Sequence, residues 1–97
     1  MRAIVNIMPG RAAAAAGWRA REVKMEAKSA SMGDILRSVL LKDGCTTLYD
    51  LIAEEKGLKP DFGLFISGIL VRGEVDWARP VADSEQIHVC DWPMSDS

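Results

Sequence analysis

The sequence predicts an α+β domain, a mixed sheet with helices on one face, and three observations predict it. Residues 3–8 are apolar on both faces of an extended chain, broken only by Asn6, as an inner strand of a sheet is. Between Glu22 and Leu40 the hydrophobic period changes from about 2 to about 3.6, from a strand with one wet face to a helix that has to cover something. Beyond Pro60 the chain returns to sheet-forming residues punctuated by glycine turns.

Taken in order, Pro9 and Gly10 stop the first strand. Residues 11–17 are alanine-rich, the composition of a loop or a single helical turn packed against a sheet edge. Val23, Met25 and Ala27 then alternate with Glu22, Lys24, Glu26 and Lys28 in a half-buried strand. Met32, Ile35, Leu36, Val39 and Leu40 follow at the spacing of one helix face, with Ser31 as expected N-cap and Asp34 closing a capping box. Lys42-Asp43-Gly44 ends that helix. A second helix is expected from Thr46 or Thr47, with Leu48, Leu51 and Ile52 on one face and an end at Lys56-Gly57. Leu64-Phe65-Ile66 and Ile69-Leu70-Val71 read as one strand in which Gly68 marks a bulge or a close backbone approach, with a tight turn at Arg72-Gly73 leading into Glu74, Val75 and Trp77. Asp83-Ser84 marks another turn before a last strand in which Ile87 and Val89 alternate with His88 and Cys90. Two strands, helices, then three strands, with the first strand central and parallel to the last, is the order of a β-grasp.

Ninety-seven residues suffice for one domain and leave no room for a second. The 12 basic and 14 acidic residues form no long block of one sign, which argues against nucleic acid and against a polybasic membrane patch. No run of about 18 apolar residues is present, so no membrane span is expected. Cys45 and Cys90 are far apart and His88 is the single histidine, so cysteine and histidine alone assemble no metal site, and neither metal nor cofactor is expected. Two unpaired thiols point to a reducing compartment, the cytoplasm. His88 and Cys90 share a strand face, but a nucleophilic pair also requires an orienting group and oxyanion donors, so both are read as structural and no catalytic residue is assigned. Trp18, Phe62, Trp77 and Trp92 fall in loops or at strand ends, where large rigid rings serve either packing or a protein contact.

Residues 3–8, Gly17-Trp18, residues 22–27 and Ser31-Met32-Gly33-Asp34-Ile35-Leu36 together resemble the start of the small ubiquitin-like sulfur carriers, the MoaD/ThiS group, to which the small subunit of molybdopterin synthase belongs. Residues 69–75 stand where that family has a hairpin, residues 80–87 match its proline- and aspartate-containing turn, and residues 42–61 resemble an insertion. The resemblance implies a ubiquitin-like β-grasp over residues 1–91, a tail over residues 92–97, and a larger protein or enzyme subunit, of adenylating or synthase type, as partner. Family carriers end in Gly-Gly, because the terminal carboxylate threads a narrow channel to be adenylated and then carries sulfur. Here Asp96 and Ser97 stand at those positions, adding a side chain at each and a negative charge beside the reacting group. The expected function is therefore non-catalytic docking through the open sheet face and the tail, with Phe65, Trp77, Trp92, Pro93 and Met94 as contact residues. The alternative is a sulfur carrier activated at Ser97.

Overall fold

In the computed structural model, which describes residues 1–93, the first strand has a hydrogen-bonded neighbour on each edge, but only Ala3, Val5 and Ile7 of its side chains enter the core. In chain order the elements are β1 (Arg2–Ile7), α1 (Arg11–Ala16), β2 (Ala20–Lys24), β3 (Ala30–Ser31), α2 (Met32–Arg37), α3 (Leu48–Ile52), β4 (Ala53–Glu54), β5 (Gly57–Leu58), β6 (Phe62–Ile66), β7 (Ile69–Val71), β8 (Pro80–Val81) and β9 (Glu85–Asp91). Five strands form one mixed sheet in the order β2-β1-β9-β6-β7. Only β1 and β9 run parallel, with Val5 beside Ile87 and Ile7 beside Val89; the other neighbours are antiparallel. β9, not β1, is thus the central strand.

Val5, Ile7, Ile87, Val89, Leu64 and Ile66 share one face of this sheet, and α2 and α3 cover it with Met32, Ile35, Leu36, Leu48 and Ile52, all of these side chains 2% exposed or less. Helices so short are held by their ends and their packing. Ser31 Oγ accepts from the Asp34 N–H at 3.1 Å while the Asp34 carboxylate accepts from the Ser31 N–H, the expected capping box. Residues 77–79 satisfy two further N–H groups of the first turn, from Met32 to the Arg79 carbonyl and from Gly33 to the Trp77 carbonyl. α2 stops at Arg37, earlier than the hydrophobic spacing predicts. Ser38 Oγ turns back onto the Ile35 carbonyl, and Leu40 pairs with Thr47 in a single bridge that leaves its side chain 42% exposed. Val39 keeps its expected burial.

Three further expectations are corrected. α3 is capped by Thr47 as expected but ends at Ile52, and residues 53–58 form the small hairpin β4–β5. That hairpin closes on residues 73–75, with the Leu58 N–H donating to the Gly73 carbonyl and the Val75 N–H to the Lys56 carbonyl. A Cβ on Gly57 would overlap the Gly73 carbonyl, so only glycine permits this approach. Second, residues 64–71 are not one strand but belong to the hairpin β6–β7, turning at Ser67-Gly68, whose φ values of 52° and 78° are both left-handed. Third, Arg72-Gly73 opens no hairpin; residues 74–79 run as irregular chain to β8, which pairs with β3.

Candidate interaction surface

Strand alternation puts a second set of side chains on the sheet face away from the helices. The register fixes its rows: Gln86, Ile4 and Glu22; then Leu70, Phe65, His88, Asn6 and Ala20; then Arg72, Gly63 and Cys90. Ile4, Phe65, Leu70 and Cys90 belong to none of the packing around the helices, and no described element covers this face. Ile4, Phe65 and His88 are half-buried by their neighbours alone, and Leu70 is 38% exposed.

Gly63 is the floor of the patch. A Cβ there would come within 3.2 Å of Cys90 Sγ, 3.3 Å of Leu70 Cδ1 and 3.6 Å of Arg72 Cγ, so these three side chains close over the glycine. The Arg72 guanidinium then lies 4.0 Å from the centroid of the Trp92 ring, a cation–π contact that extends the patch beyond the end of β9. The Trp92 N–H donates to the Asp61 carbonyl at 2.7 Å, so Trp92 is tied to the sheet and half-buried. At the opposite corner, Glu22 pairs with Arg2 at 3.7 Å and with Lys24 at 3.9 Å, exposed pairs that give polarity more than stability.

The end of β9 is anchored across the chain. The Asp91 carboxylate accepts the Arg11 N–H at 2.6 Å, the Ala12 N–H at 3.1 Å and Arg11 Nε at 3.3 Å, so a residue eighty positions away caps the first turn of α1. Burial alone would raise this carboxyl, but those N–H groups and the guanidinium together hold it below the usual aspartate range. Gly10 makes the approach possible, since a Cβ there would meet the carboxylate at 2.5 Å.

His88 and Cys90 do share the open face. However, Cys90 is 1% exposed, and burial foremost, with the Asp91 charge adding to it, pushes its thiol up and holds it protonated. Among the described residues no three His, Cys, Asp or Glu side chains gather as a metal site. No described helix is long and apolar enough to cross a membrane.

Of the expected contact residues, Phe65 and Trp92 lie on this face, and exposed Pro93 follows Trp92. Trp77 lies on the helix side, packed on the core with its ring edge-on to Tyr49 at 5.2 Å, so it does not join them. Met94 and Ser97 lie outside the described residues. Ile4, Leu70 and Arg72 share this face without having been expected as contact residues; for Ile4 the signal was that residues 3–8 are apolar on both faces, since the core takes only Ala3, Val5 and Ile7. No protein-family model, no curated protein and no solved structure matches the chain.

Proposed function

We propose that the chain is a ubiquitin-like β-grasp domain of the MoaD/ThiS type that works without catalysis of its own, docking its open sheet face and the chain beyond Asp91 on a larger protein or enzyme subunit in the cytoplasm. The strand order, with the outer hairpins flanking a parallel first and last strand and helices on one face, supports the fold reading. One observation carries the function: Phe65 and Leu70, paired across β6 and β7, lie beside the Arg72–Trp92 pair on the sheet face away from the helices, with Ile4 on the same face across β9, and no described element packs over them. Rigid aromatic rings bordered by an arginine are the composition of an interface centre.

The test compares captures by wild type, Phe65→Ala and Trp92→Ala, each shown by melting to be folded. The proposal expects a protein retained by the wild type and lost with both variants; equal capture by all three refutes it. A chain serving as a sulfur carrier would instead gain one oxygen-to-sulfur exchange in intact mass when incubated with ATP, a sulfur donor and an adenylating enzyme. The docking reading expects no such change.

A further inference from the structure

We infer that the free edge of β7 is a self-association site, at which two copies pair antiparallel about Leu70 and join their sheets into one. The turn at Ser67-Gly68 has two residues, both with positive φ, so Ile66 and Ile69 are the hydrogen-bonded pair that flanks it. Phe65 and Leu70, the next pair, are then non-hydrogen-bonded, and the Leu70 N–H and C=O point away from β6. Among the described residues no strand lies beyond β7 to receive them. Ile69 is 67% exposed and Leu70 38%, and the strand carries no charge.

The other sheet edge is guarded. β2 carries Arg21, Glu22 and Lys24, and Glu22 holds ion pairs with Arg2 and Lys24, the charged edge that blocks strand addition. β7 has no such guard. Its sequence is also its own complement. A two-fold axis at Leu70 lets each Leu70 exchange both hydrogen bonds with Leu70 of the partner subunit. It sets Ile69 against Val71 of the partner subunit, and Arg72 against Gly68 of the partner subunit, which has no side chain, so no two cations meet. Pairing β7 with β2 instead would set apolar residues against charged ones and propagate without closing. A contact of one short strand is smaller than a standard interface of ~1,600 Å², so the dimer is concentration-dependent.

Sedimentation of the full chain from about 10 μM to about 1 mM, a range chosen for weak association, tests this together with amide exchange at Leu70. The expected result is a monomer–dimer equilibrium in which protection of the Leu70 amide rises with concentration. Leu70→Pro removes the outward N–H without removing a bond to β6, and Ile69→Lys adds the missing guard. Each is expected to weaken dimerisation by about tenfold or more. A monomer at every concentration, a dimer indifferent to both substitutions, or a Leu70 amide equally protected at all concentrations overturns the inference. Should Leu70→Pro unfold the chain, Ile69→Lys and the wild-type exchange data decide alone.

Discussion

Replacing Asp91 by asparagine keeps the side chain's shape and removes its charge, which isolates the clamp between β9 and α1. The carboxylate serves the N–H groups of Arg11 and Ala12 with separate oxygens and the Arg11 guanidinium with one of them. Asparagine retains one acceptor, and its NH₂ group then faces a backbone N–H. The Asp91 side chain is only 15% exposed, so water replaces the lost bond poorly. Loss of a helix cap costs ~0.5–2 kcal/mol, and a hydrogen bond to a charged group contributes ~1.5–3 kcal/mol. About 2 kcal/mol is therefore expected near neutral pH, a fall of roughly 8–16 °C in Tm for a domain of this size. The dependence on pH follows from the direction of the shift. A carboxyl held below its unfolded value contributes stability that is complete above about pH 4 and is lost as pH falls through the folded value. Wild type and Asp91→Asn should consequently converge in stability as pH drops below about 4. Thermal melts of both proteins from neutral pH to about pH 2 measure this. Equal Tm at neutral pH, or a gap that persists unchanged into acid, refutes the clamp.

Leu36→Ala removes a fully buried side chain between α2 and the sheet and should cost ~2–5 kcal/mol in denaturant titration; a cost below ~1 kcal/mol would mean that Leu36 does not fill the core. Gly57→Ala forces the β4–β5 hairpin away from Gly73 and should lower Tm and raise amide exchange at Leu58 and Val75, whereas unchanged exchange at both sites would contradict the close approach. A thiol reagent at neutral pH should modify exposed Cys45 quickly and Cys90 only after denaturation, read as successive mass additions; fast modification of both would show that Cys90 is not buried as described.

Local chemistry made part of this fold legible. Ser31 with Asp34 and Thr47 with Asp50 are caps formed within three residues, so no tertiary information was required to find them. What escaped was set by contacts between distant segments. Ser67 adopts a left-handed φ without being glycine, so Ser67-Gly68 resembled a bulge more than a turn. Arg72-Gly73 had the composition of a turn, yet its glycine serves the approach to β4–β5, a contact sixteen positions back from Gly73 to Gly57. The clamp from Asp91 to α1 spans eighty positions and leaves no local pattern at all.

The same physics explains why β1 was expected at the sheet's centre and why Ile4 and Leu70 were not among the expected contact residues. A central strand is expected to be apolar on both faces when both faces are covered. Among the described residues only one face of this sheet is covered, so β9 can occupy the centre with Ile87 and Val89 inward and His88 and Cys90 outward. Its alternation is that of a strand with one wet face for this reason. β1, beside it, carries Ile4 on the uncovered face, where burial in the fold does not require an apolar residue. Ile4, Phe65 and Leu70 are therefore apolar in excess of what the core demands. The proposed docking face rests on that excess, which becomes visible only when the register shows that these three residues, drawn from three strands, share a side.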